Sequence, residues 1–112
     1  MPKLTNIRGL GRNYQRLCRQ LAAIEWICQG SVIKRSYQRP AGNGLKTYGP
    51  YYSWTRKVDN KTVTAALSLA QYHALHSAIA THRRMEGVLD RMRRLSEQVI
   101  FATTLGVTRR RR

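Results

Sequence analysis

The feature that most constrains this chain is an apolar stripe running unbroken through most of its second half. From Leu69 to about Thr103, Tyr72, Leu75, Ile79, His82, Met85 or Glu86, Leu89, Met92, Ser96 and Val99 recur at near-heptad spacing, the mark of one helix with one buried face. Ser68-Leu69-Ala70-Gln71 in front of it is a capping box: Ser68 caps and Gln71 reaches back. The predicted helix, 68–103, is a rod of roughly 50 Å. A chain of 112 residues cannot bury such a rod in one globule. Either the N-terminal helix packs along it or a second chain does.

A shorter stripe lies near the N-terminus. Leu10, Tyr14, Leu17, Leu21, Ile24 and Cys28 are spaced 4, 3, 4, 3 and 4, which predicts a helix over 10–28 that is stopped by Gly30. Arg12, Arg16 and Arg19 lie off its apolar face. On that helix Cys18 and Cys28 would be nearly three turns apart, too far to bridge. They read as reduced thiols, which fits a cytoplasmic protein. Residues 1–20 have no apolar stretch of the kind a secretory signal uses.

Between the helices the pattern is β. Residues 31–37 alternate, with Ile33, Arg35 and Tyr37 on one side and Val32, Lys34 and Ser36 on the other. Residues 38–49 are rich in Gly and Pro and read as a loop, with Gly49-Pro50 as a turn into the next strand. Residues 51–58 and 61–67 are rich in β-branched and aromatic residues, and Asp59-Asn60 between them suits a two-residue hairpin. A loop of that length fixes the register. Val58 faces Lys61, Arg56 faces Val63, Trp54 faces Ala65 and Tyr52 faces Leu67, on one largely apolar face. Tyr51, Ser53, Thr55 and Lys57 stand against Thr62, Thr64 and Ala66 on the other, which is polar and dense in hydroxyls. The predicted fold is therefore α+β: an N-terminal helix, a three-stranded antiparallel sheet over 31–67, a long C-terminal helix and a disordered basic tail, 109–112, following one small domain over 1–108.

The charge points to a partner class. The chain has 21 Lys and Arg against 5 Asp and Glu, a formal net charge of +16. Self-repulsion at that density is relieved by a polyanion, with nucleic acid the first candidate. The charge is spread: residues 1–29 carry +4, residues 30–67 carry +6 and residues 68–112 carry +6. An extended contact follows rather than a single sticky end. The candidate contacts are Lys34, Arg35, Arg39 and Lys46 around the Gly/Pro loop, Lys57 and Lys61 beside the hairpin turn, and Thr55, Thr62 and Thr64 on the hydroxyl face. Arg83, Arg84, Arg91 and Arg94 on the long helix join them, with Arg109, Arg110, Arg111 and Arg112 as an arm. Tyr52 and Trp54 read as core, whereas Tyr48 and Tyr51 are free to donate to phosphate or stack on an unpaired base. The helix arginines have a plainer explanation as a solvated face, in which Glu86, Asp90 and Glu97 pair with some of them.

Other chemistries find little support. His73 and His76 are one turn apart, but no CxxC or HExxH accompanies them, so no metal is expected. Gly42-Asn43-Gly44 lacks the Lys-Ser/Thr and helix start of a phosphate-binding loop, and the five acids form no catalytic pair. Neither enzyme activity nor a cofactor is expected.

Gly30-Ser31-Val32, Gly49-Pro50-Tyr51-Tyr52-Ser53-Trp54-Thr55-Arg56-Lys57-Val58, Lys61-Thr62-Val63-Thr64 and Leu67-Ser68 with Gln71 form a distinctive block. Arg83-Arg84-Met85 and Met92-Arg93 extend it. From Gly30 to about residue 100 the chain resembles a group of small, uncharacterised bacterial and archaeal proteins often encoded near transposases and other mobile-element genes. That resemblance implies a prokaryotic cytoplasmic protein with a mobile-element neighbourhood. Many of those proteins carry a cysteine pair before Gly-Pro-Tyr. Here Arg39-Pro40-Ala41-Gly42-Asn43-Gly44-Leu45 has none, so no metal role carries over. In architecture, three antiparallel strands followed by a helix resemble the arm-site-binding modules of tyrosine integrases, which place a sheet in the major groove.

The resulting expectation is a non-enzymatic nucleic-acid-binding protein, nucleoid-associated, that favours double-stranded DNA and serves as an accessory of a mobile element. It would dimerise through the long helix and could join a larger nucleoprotein complex. The alternatives are RNA binding by the same surface, and a structural or membrane-surface module. The helices argue against a membrane, because their stripes lack large exposed aromatics.

Overall fold

A computed structural model describes residues 4–107. Its element order is α1 (Leu4–Ala22), β1 (Ser31–Ala41), β2 (Gly44–Val58), β3 (Lys61–Leu67) and α2 (Leu69–Thr103), an α+β fold. The basic tail, 109–112, lies outside the described residues. Two compact units are distinguished. One combines α1 with the part of α2 from Arg84 onward, and the other spans 25–83.

In the first unit α1 runs antiparallel to the C-terminal part of α2. Leu10 and Tyr14 border Val99 and Ile100, while Leu17 and Gln20 border Arg91 and Leu95. Leu17 and Val88 are buried there. The apolar stripe of α2 thus has an intrachain partner over its second half. Phe101 is 77% exposed, an exposed aromatic on α2 that the stripe does not predict.

The second unit holds the sheet, ordered β1-β2-β3 and antiparallel throughout. The Asp59-Asn60 hairpin has the expected register, from Val58 opposite Lys61 to Tyr52 opposite Leu67. Both turn residues have positive φ, 51° and 65°, as a type I′ turn requires. Ser68 and Gln71 make both reciprocal bonds of the capping box, 2.9 and 3.1 Å. The apolar sheet face rests on the N-terminal part of α2. The Tyr52 and Tyr72 rings lie 4.7 Å apart, and Val32 lines a recess with His76, Ile79 and Ala80. Arg56 stacks 3.9 Å over the Trp54 ring on the same face, an attraction that offsets burying a guanidinium there.

Two boundaries differ from the sequence reading. The N-terminal helix spans Leu4–Ala22, not 10–28, so Cys28 is not helical. Ala23 and Ile24 still donate to carbonyls of α1, but farther on the partners lie elsewhere: the Cys28 N–H donates to the Ala78 carbonyl at 3.2 Å, and the Trp54 indole N–H donates to the Gln29 carbonyl at 2.9 Å. These bonds extend the segment that the apolar spacing assigns to the helix. The stretch 38–49 is not a loop. β1 and β2 continue through it as a ribbon, closed at Gly42-Asn43 between the Ala41–Gly44 pair. Gly49-Pro50 is not a turn either. It lies inside β2, joined by a cis peptide bond, where the register shifts between Arg35 and Tyr37. A bulge there puts two residues of β2 opposite Ser36, which accommodates a proline that cannot donate to the ladder.

Gly30 is the tightest backbone position. Its φ is +98°, and a Cβ added to it would lie 2.3 Å from the Thr55 carbonyl oxygen and 2.9 Å from the Trp54 indole nitrogen. Gly42 also has positive φ, but open space surrounds it. Gly30→Ala should therefore cost well over the ~1–2 kcal/mol that the left-handed conformation alone costs an alanine, whereas Gly42→Ala should cost no more than that. Urea unfolding of the two variants checks the order, and equal costs would refute the crowding argument.

Candidate nucleic-acid interface

Strand alternation and the register sort the candidate residues onto two faces. Arg35, Arg39, Lys46, Tyr48, Tyr51, Thr55, Lys57, Thr62 and Thr64 share the face turned away from α2. Lys34 and Lys61 fall on the opposite face, paired with Tyr52 and Val58, and both are exposed. On the hydroxyl face Thr55 and Thr64 are bonded to each other at 3.0 Å. Each hydroxyl oxygen keeps acceptor capacity beyond that bond.

The same face carries a residue outside the sequence-derived set. Tyr37 stands opposite Tyr48, and its ring lies 5.7 Å from that of Tyr51. Tyr37, Tyr48 and Tyr51 are between 37% and 52% exposed, too open to serve as core. The signal is present in the alternation of Ile33, Arg35 and Tyr37. It carries no weight while the residues opposite read as a loop. Lys46 sits 5.3 Å over the Tyr48 ring, which holds a cation between the aromatic positions.

Electrostatically this region is one-sided. Between Glu25 and Asp59 the chain has no acid and six cations, Lys34, Arg35, Arg39, Lys46, Arg56 and Lys57. Arg39 and Lys46 are direct cross-strand partners. Like charges placed so are mutually destabilising, and no carboxylate is near in sequence to relieve them. A phosphate between them would.

The helix arginines are divided. Arg83 belongs to the sheet-bearing unit, where it borders a recess of about 180 Å³ with Ser31, Val32 and His76. Arg84, Arg91 and Arg94 belong to the other unit. There Arg91 and Arg94 join Arg16 around a groove of about 400 Å³. Arg94 bonds Asp90 at 2.9 Å across one helical turn, with both side chains largely exposed, so part of its charge is already answered. Arg8, Arg12, Arg16 and Arg19 line a further shallow surface along α1, a basic face absent from the sequence-derived set. Arg109, Arg110, Arg111 and Arg112 lie outside the described residues.

Both cysteines are free thiols. Among the described residues no three His, Cys, Asp or Glu side chains are grouped to hold a metal, and no helix is long and apolar enough to cross a membrane. No family model, curated protein or solved structure matches the chain.

If the Arg39–Lys46 pair is kept for a partner, it lowers the stability of the free protein. Arg39→Glu should then raise the unfolding free energy by about 0.2–1 kcal/mol at low salt while weakening nucleic-acid binding. Paired denaturation and binding measurements test this trade. A destabilised variant would mean that Arg39 has a structural partner of its own.

Proposed function

We propose that this protein binds nucleic acid without catalysis, through the sheet face that carries Arg35, Arg39, Lys46 and Lys57 with Thr55, Thr62 and Thr64. The observation that carries the reading is the gathering of cations, hydroxyls and exposed tyrosines on one acid-free face. Cations and hydroxyls position phosphates, and hydroxyls can also reach base edges. Double-stranded DNA is the favoured target, with the threonines at base edges or phosphates. A prokaryotic cytoplasmic setting, nucleoid association and a role beside a mobile element rest on the family resemblance.

A second reading, single-stranded RNA, is favoured by Tyr37, Tyr48 and Tyr51. Three exposed rings interleaved with cations make a stacking platform. Competition among duplex DNA, single-stranded DNA and structured RNA at one fixed salt separates the two. Preference for the duplex supports the first, and preference for unpaired RNA replaces it.

The proposal includes a homodimer through α2, for which exposed Ile100 and Phe101 supply an apolar surface, and through it a larger nucleoprotein assembly. Sedimentation at micromolar concentration in high salt should show a dimer, and a clean monomer removes this part.

Thr55→Leu with Thr64→Leu should weaken preferred sites more than random sequence. Deleting residues 109–112 should weaken all sequences alike and flatten the salt slope by up to ~0.9 per lost phosphate contact. If the threonine variant binds normally while neutralising Arg83, Arg84, Arg91 and Arg94 abolishes binding, the sheet is scaffold and α2 is the interface.

A further inference from the structure

β1 and β2 run well past the end of β3. β3 pairs with β2 only from Tyr52 to Val58, so from the Arg35–Tyr51 pair to the Ala41–Gly44 pair the two strands have no third strand beside them among the described residues. Six steps of strand make an arm of about 20 Å. Every residue from 34 to 51 is exposed, so neither face of the arm rests on the body. Its end is slim: Ala41, Gly42, Asn43 and Gly44 close it, and open space surrounds both glycines. Immediately behind that end Pro40 stands opposite Leu45, and Leu45 is 68% exposed. A lone exposed leucine is ordinary. A leucine paired with proline behind the tip of an otherwise polar arm is a shaped apolar edge.

Resting on the nucleic-acid reading above, we propose that this arm enters the minor groove of duplex DNA and bends it. Pro40 and Leu45 act as the wedge, and Arg35, Arg39 and Lys46 hold the flanking phosphates. Groove dimensions decide between the major and the minor groove. Two strands ~4.8 Å apart with their side chains pass into a major groove ~12 Å wide without distorting it, and the apolar pair would gain nothing there. A minor groove ~6 Å wide must open to admit them, and opening it exposes a base step against which an apolar side chain is favourable. Gln38 shares the face of the wedge, Asn43 lies in the turn beyond it, and the adjacent Arg39–Lys46 pair projects from the opposite face; these are the types that read minor-groove edges and hold phosphates. The bulge at Ser36 adds twist where the arm leaves the sheet, as following a groove requires.

The test is end-to-end energy transfer on a duplex of ~30 base pairs, using the full chain. Wild type should bind and bring the ends closer, and a small-molecule minor-groove ligand should displace it. Leu45→Ser and Pro40→Ser, both on the exposed arm, should keep the wild-type melting temperature and bind within about threefold of wild type, yet lose most of the approach of the ends. Leu45→Phe should keep it. Wild type that binds without bending, or serine variants that bend normally, would overturn the wedge and leave the nucleic-acid reading standing. Failure to bind duplex DNA at all would overturn both.

Discussion

The sheet-bearing unit depends on one seam, where the backbone of Gln29 and Gly30 meets β2. The Trp54 indole holds the Gln29 carbonyl, and Gly30 passes the Thr55 carbonyl with no room for a side chain. One step earlier, Cys28 donates to the backbone of α2 at Ala78. Within a few residues the chain is tied to both layers of the unit before β1 begins. That tie fixes which way the sheet faces. Tyr52, Trp54 and Arg56 turn toward α2, and strand alternation then forces Tyr51, Ser53, Thr55 and Lys57 outward. The composition of the open face is thus a consequence of what the seam turns inward.

Much of this is legible in the sequence, for local reasons. A two-residue Asp59-Asn60 loop allows few geometries, and so it fixes the pairing of seven residue pairs. Ser68 and Gln71 specify their own bonds. A stripe as long as that of α2 has no competing interpretation. The failures are as instructive. Ile24 and Cys28 continue the spacing of α1, but the helix ends at Ala22 and the Cys28 N–H is taken by the Ala78 carbonyl of α2, a competition about which periodicity carries no information. Residues 38–49 read as a loop because Pro40, Gly42, Gly44, Gly49 and Pro50 are loop-forming residues taken one at a time. Placed in register, each has a position in a ribbon: Gly42 in the turn, Gly49 and Pro50 at the bulge, Pro40 on an edge. The candidate site inherits that error. Tyr48 and Tyr51 stand out on chemistry alone, and Tyr37 does not, because its cross-strand partner reads as part of no strand. The division of the helix arginines between two units lies beyond any one-dimensional pattern.

The division of labour within the second unit is also notable. Its buried residues, Ala78, Ile79 and Thr81, all lie on α2, and the ring, indole and backbone bonds that hold the sheet come from residues 28–32 and 52–56. Every residue from 34 to 51 is exposed. Trp26, 90% exposed, also stands outside that framework. Arg56 apart, the cations of this unit lie outside its buried residues, and the cross-strand pair Arg39–Lys46 falls in an exposed stretch.

The open strand edges have a further consequence, for solubility. A two-stranded ribbon with bare edges is the template on which identical chains join strand to strand. Here Pro40 lacks a donor, the bulge at Ser36 interrupts a flat run, and Lys34, Arg35, Arg39 and Lys46 give every copy the same sign of charge. Two such ribbons repel each other before their backbones can pair. The cations on the arm keep it from its own kind, and neutralising them would expose the protein to self-association.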